Sequence, residues 1–184
     1  MPFSKSTIYI IKTYINTKMN TFKNRRIKLI IYSFYIILLD QISKFSVLTL
    51  LGFERSINIV PKLLNFTVVK NKGAAFSLFS NSTIFLTIIS LIASLLLVII
   101  ILKSPPRSYW NSIGIACLLG GTAGNGIDRL LKGYVIDFFE LVPIHFPIFN
   151  IADISINIAI ICFTIDIITS KDQLKNTIRN KKIK

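Results

Sequence analysis

The stretch 133–153 reads GYVIDFFELVPIHFPIFNIAD. It holds two aspartates in apolar company: Asp137 between VI and FF, and Asp153 after FNIA. An ionised carboxylate alone in hydrocarbon costs at least ~2.5–3.5 kcal/mol on insertion scales. A single such aspartate reads as a helix cap or an ion-pair partner. Two that meet cannot both ionise at close range, so one keeps its proton. One protonated and one ionised carboxyl are the working parts of an aspartic peptidase. The ionised group takes a proton from water, and the protonated group donates a hydrogen bond to the scissile carbonyl.

Other polar residues stand near apolar runs. GGTAGNGIDR spans Gly120–Arg129, with glycines that let helices approach closely and with Asn125, Asp128 and Arg129 at a helix exit. Those three read either as a polar helix end in the headgroups or as a cluster that orients Asp137 and binds substrate backbone. Arg129 is the neighbour expected to keep Asp128 ionised. NKGAAFS at 71–77 offers Asn71, whose amide both donates and accepts. Asp40 and Lys44 lie four apart inside an apolar run, on one helix face, as an ion pair or as a reach towards the other polar groups. No G-x-S-x-G elbow is present. Lys72 and Ser77 share a loop, but nothing there gives Lys72 an apolar setting. His145 is the only histidine, and Cys117 and Cys162 fall within apolar stretches, so no His/Cys metal cluster is expected.

The elements that must position these groups are membrane helices. The 184 residues are 52% hydrophobic and 16% charged, with a mean hydropathy of +0.63. A soluble domain is nearer a quarter charged. The net charge of +14 is not a nucleic-acid footprint: seven Lys/Arg lie in residues 1–28 and six in 171–184, flanking apolar runs. Spans of about 20 apolar residues are expected at roughly 29–51, 82–102, 109–127 and 148–168. Asp166, near the end of the fourth, is expected to snorkel to the interface.

Basic clusters at the N-terminus, at 103–107 and at the C-terminus fall on one side of four spans, which places them in the cytoplasm. The first span is too long for a cleaved signal peptide, and no A-x-A-like site follows it. Residues 1–22 read as an amphipathic helix on the inner surface, although Met19 would serve equally as a start. Outside, LNFTVV and AAFSLF around KNKG predict a small sheet. Residues 131–147, broken by Pro143 and Pro147, are expected to lie along the outer interface or to dip in and return. The fold class expected is an all-α membrane protein with a small β element. It divides into a basic extension (1–28), a four-helix membrane domain (29–168) and a basic tail (169–184). Asp137 at the exit of the third span and Asp153 at the entry of the fourth then share one depth.

Five motifs in order, DQISK (Asp40–Lys44), NKGAAFS, GGTAGNGIDR, GYVIDF (Gly133–Phe138) and FNIAD (Phe149–Asp153), resemble the lipoprotein signal peptidase family, also called signal peptidase II. The resemblance runs from about residue 29 to 168. Gly126 stands where the family more often has a bulky aliphatic residue, and the stretch between the two aspartates is short. The resemblance implies a bacterial inner-membrane aspartic endopeptidase. Such an enzyme removes the signal peptide from diacylglyceryl-modified prolipoproteins, just before the lipidated cysteine.

It further implies Asp137 and Asp153 as the catalytic pair, with Asn71, Asn125, Asp128, Arg129 and Asn150 as a supporting polar shell. No cofactor, no metal, no nucleic acid and a monomeric state are expected. Two other classes compete. One is a small polytopic proton-coupled transporter or channel using Asp40, Lys44 and Asp128, which would spread its acids along the membrane normal. The other is a non-enzymatic assembly factor.

Overall fold

The computed structural model describes residues 5–73, 82–106, 108–144 and 146–182. The elements run α1 (Lys5–Leu51), β1 (Ser56–Val60), β2 (Leu64–Asn71), α2 (Thr83–Lys103), α3 (Tyr109–Lys132), β3 (Val135–Leu141) and α4 (Ile151–Lys182). Four helices and a small antiparallel sheet match the expected class.

Among the described residues, three helical stretches are long and apolar enough to cross a membrane: Lys23–Leu51, Thr83–Lys103 and Ile151–Lys171. α3 is long enough but more polar. Its position explains why: it packs against α4, α1 and α2, so protein rather than lipid surrounds it. Its glycines set the distances. A Cβ on Gly121 would collide with the Ala152 carbonyl oxygen of α4, and one on Gly124 would lie 2.7 Å from Asp40 Oδ2 of α1. Leu29, Leu97, Ile101, Ile115, Ala116 and Leu119 form the core between α1, α2 and α3.

Residues 5–22 do not form a helix of their own. α1 is continuous from Lys5, because no glycine or proline interrupts the run to Leu51. At 1.5 Å per residue it is about 70 Å long, more than twice a bilayer core of about 30 Å. It ends at Gly52, whose φ of 77° suits a left-handed cap and whose N–H donates to Leu48 O at 2.9 Å.

The sheet order is β1-β2-β3. LNFTVV forms most of β2 as expected, but its partners differ from those expected. β1 pairs with one edge, Ile57 opposite Phe66, and β3 pairs with the other, Val69 opposite Asp137 and Asn71 opposite Val135. The run AAFSLF, the Lys72/Ser77 pairing and His145 lie outside the described residues. The 131–147 segment is therefore not an interfacial strip throughout: VIDFFEL at its centre closes the β2 edge. Val47, Val68, Ile136 and Phe138 bury between sheet and α1 and fix the sheet to the bundle. Phe149 then clips to β3, its carbonyl accepting from Phe138 N–H (3.0 Å) and Phe139 N–H (2.8 Å). That clip delivers the start of α4 beside Asp137.

At the opposite end, Asp166 accepts hydrogen bonds from Ser108 and Asn111 at the start of α3, so it ties two helices together as well as lying near an end. Cys117 and Cys162 are free thiols, Cys162 buried.

Candidate active site

Asp137 stands on β3, and Asp153 is the third residue of α4. One residue touches both. Asn150 Nδ2 donates to Asp137 Oδ1 at 2.6 Å, and Asn150 N–H donates to Asp153 Oδ2 at 3.1 Å. Asn150 Oδ1 in turn accepts from Asp153 N–H at 3.0 Å. This is a reciprocal capping arrangement at a helix start, with an aspartate in the place usually held by Glu or Gln. The second oxygen of each carboxyl has its own amide. Asn71 Nδ2 donates to Asp137 Oδ2 at 2.8 Å, and Asn125 Nδ2 donates to Asp153 Oδ1 at 2.8 Å. The Asn71 carbonyl is itself fixed by Gly73 N–H at 2.9 Å.

Asp137 is nearly inaccessible, at 1% exposure. Burial, and then the neighbouring Asp153, push its carboxyl up to about 6, against the hydrogen bonds from Asn71 and Asn150.

Beneath this pair lies a charged network with no exposure at Asp40, Lys44 or Asp128. The Lys44 ammonium has three donors and uses them on three acceptors: Asp40 Oδ2 (2.8 Å), Asp128 Oδ2 (2.9 Å) and Asn125 Oδ1 (2.9 Å). Asp40 Oδ1 accepts from Ala152 N–H at 2.9 Å, satisfying an otherwise open donor in the first turn of α4. Asp128 Oδ1 pairs with Lys132 at 2.8 Å. Two carboxylates thus face two ammonium groups. Asn125 joins this network to the dyad, since its Oδ1 also accepts from Asn150 Nδ2 at 3.0 Å.

The structure brings Asp40, Lys44, Asn71, Asn125, Asp128, Asp137, Asn150 and Asp153 together, and it gives Asp128 other partners than the one expected. Asp128 is neutralised by Lys44 and Lys132, not by Arg129. Lys132 is one helical turn beyond Asp128 and so on its face. Arg129 is rotated about 100° away and donates to Gly73 O at 3.2 Å, with its Nε buried and unpaired. Sequence reasoning missed Lys132, which the i,i+4 spacing could have revealed. It also missed Gln41, which donates to Asp40 Oδ2 and Gly124 O at 3.2 Å each. Among the described residues, no three His, Cys, Asp or Glu side chains converge as a metal site would require.

The pair opens into a cavity of about 1270 Å³ that Arg129 and Asn71 also line. The cavity lies where β2, β3 and the ends of α3 and α4 meet.

The chain as a whole is similar to known proteins. The family described as Signal peptidase (SPase) II matches residues 32–169. The lipoprotein signal peptidase of Parasynechococcus marenigrum is 44% identical over 147 residues, covering 80% of this chain and 92% of that protein. The lipoprotein signal peptidase of Trichormus variabilis is 42% identical over 141 residues, covering 77% and 88%. A bacterial membrane enzyme solved by the in meso method at 2.3 Å resolution superposes with a TM-score of 0.73 at 32% identity, covering 79% of this chain and 90% of that one. By the extent of these matches, the chain belongs to the signal peptidase II family.

Proposed function

We propose that this protein is a membrane-embedded aspartic endopeptidase that removes the signal peptide from diacylglyceryl-modified prolipoproteins, cutting N-terminal to the lipidated cysteine. One observation carries this reading: two carboxyls bridged by a single asparagine line one cavity at the end of a membrane bundle. The relatives' names supply the substrate class. The protein would reside in a bacterial inner membrane, with the sheet and the dyad at the outer face.

In the reactive form Asp137, the carboxyl with almost no exposure, is assigned the proton of the pair, and its value of about 6 means that this form fills as pH falls towards 6. Asp153 is the ionised member. Asn125 and the Asn150 N–H donate to it at a helix N-terminus, where partial positive charge favours an anion. Asp153 takes a proton from water, whose oxygen attacks the scissile carbonyl carbon. Asp137 gives its proton to the carbonyl oxygen, and a neutral tetrahedral gem-diol forms. On collapse a hydroxyl proton returns to Asp137, the proton on Asp153 goes to the leaving cysteine nitrogen, and the C–N bond breaks. Asn71, Asn125 and Asn150 hold the two carboxyls in register throughout. The acyl chains stay in lipid while the peptide bond meets water at the interface.

The proton-relay alternative finds no support in Asp40, Lys44 and Asp128, whose hydrogen-bonding groups are engaged with one another and with Ala152, Gln41, Asn125 and Lys132. The direct test is purified full-length protein in detergent with a diacylglyceryl prolipoprotein, read by mass spectrometry. Release of the intact signal peptide, with the lipidated cysteine as the new N-terminus, is expected. An uncut substrate, or a cut elsewhere, overturns the proposal.

A further inference from the structure

The cavity extends from the dyad one helical turn deeper, and there it changes character. α2 packs along α3 and touches α1, but makes no comparable contact with α4. A crevice remains between α2 and α4, with α3 as its back wall. Three polar side chains line the cavity on these walls: Ser90 from α2, Thr122 from α3 and Asn157 from α4.

They share a depth. Thr122 is three residues inward of Asn125, and Asn157 is four residues inward of Asp153, which is about 4.5–6 Å at 1.5 Å per residue. Ser90 is held at the α3 surface by Gly126, one turn from Thr122. A Cβ at Gly126 would lie 3.2 Å from Ser90 Cβ, so a bulky residue there would push α2 away.

Side-chain hydroxyls on these helices commonly bond back to a carbonyl four residues earlier, as Thr87 does to Thr83 (2.7 Å) and Ser155 to Ile151 (2.9 Å). Ser90, Thr122 and Asn157 have no side-chain hydrogen-bond partner among the described residues. Asn157 is moreover an exposed amide beside Ile154, Ile158 and Ile161, which face outwards. Donors left open towards a membrane-facing crevice call for acceptors from a ligand.

We infer that this crevice is the subsite for the glyceryl diester of the lipidated cysteine, with Ser90, Thr122 and Asn157 donating to its ester carbonyls; this rests on the lipidated-substrate reading above. The chemistry fits on three counts. Ester carbonyls are acceptors only, and the crevice offers donors. They lie a few bonds from the scissile bond, and the crevice lies about one turn from the dyad. Their acyl chains must continue into lipid, and the gap between α2 and α4 opens to it.

The test compares two substrates that differ only in the glyceryl linkage, a diacyl diester and a dialkyl diether. The diether keeps chain length but lacks the carbonyl acceptors. Wild-type protein should process the diester with about tenfold higher kcat/KM, carried mainly by KM, as two or three hydrogen bonds allow. In the double variant Thr122→Val/Asn157→Leu, kcat/KM for the diester should fall to the diether value, with the thermal unfolding midpoint reporting on the fold. Equal handling of both substrates by the wild type overturns the subsite, as does a folded variant that keeps the diester preference. Failure of the wild type to cut either lipidated substrate overturns the functional reading, and the subsite with it.

Discussion

Lys44 shows how much one side chain can hold. Its ammonium closes a network in which each acceptor holds something different. Asp40 caps α4, Asp128 anchors the exit of α3, and Asn125 orients Asp153. Lys44→Met keeps the stem but strands two buried carboxylates. Breaking a buried pair this way costs about 3–5 kcal/mol, so the unfolding midpoint of the detergent-solubilised protein should fall sharply; a midpoint indistinguishable from wild type would show the network to be incidental. Asp137→Asn and Asp153→Asn keep size and remove the acid–base function, so turnover should drop by orders of magnitude while inhibitor or substrate binding persists. Asp128→Asn, by contrast, should lower stability along with activity.

The Asp137 carboxyl also makes stability depend on pH. Its folded value of about 6 lies above the unfolded 3.8, so the native state binds more protons between these limits. Stability is then greatest below 3.8 and is lost as pH rises through about 6. Asp137→Asn should flatten that fall in a thermal-unfolding series across the window. The dyad was legible in sequence because carboxylates among aliphatic and aromatic neighbours are conspicuous. The partner of Asp128 was not, because adjacency in sequence suggested Arg129 while helical rotation selects Lys132.

At the level of elements, α3 is the piece on which the site depends, and it is the span whose composition is least like a membrane helix. Its existence could be read from the run 109–127, although the helix continues to Lys132. Its central place could not, because hydropathy records the average solvent of a helix and not which neighbours replace lipid. Glycines supply the missing information, since each close contact marks a facing helix. Gly121 meets the Ala152 carbonyl two residues after the Asn150 cap and one before Asp153. Gly121→Ala would force α4 outward at that point. A cost of about 1–3 kcal/mol is expected from overpacking, together with loss of activity beyond what the stability change explains. An alanine variant with wild-type turnover would show that the dyad does not depend on this contact. β3 was hidden for a different reason. Its aromatic run, followed by two prolines, fits an interfacial strip as well as a strand, and only the open edge of β2 decides between them.

For the molecule as a whole, connectivity alone divides the bundle into two ends. The sheet, the dyad, the exit of α1, the start of α2, the exit of α3 and the start of α4 share one end. The entry of α1, the 103–108 connection and the exit of α4 share the other. Charge is divided the same way. Of the 22 Lys/Arg residues, 15 lie in 1–28, 103–107 and 171–184, and the sheet end carries near-balanced charge. Lys/Arg next to a span resist translocation far more than Asp/Glu do. The basic end should therefore stay in the cytoplasm, with both termini, and the dyad should face outwards. In sealed cells, single cysteines at Lys62 and Glu140 should react with a membrane-impermeant thiol reagent, in a background where Cys117 and Cys162 are replaced by Ala. A cysteine at the exposed Ser104 should react only after permeabilisation. Both sheet-end positions are suitable reporters, Lys62 lying in the exposed β1–β2 turn and Glu140 on β3 beside the cavity. Labelling at Ser104 from outside would invert the orientation and put the dyad at the cytoplasmic face, against the outer placement proposed above.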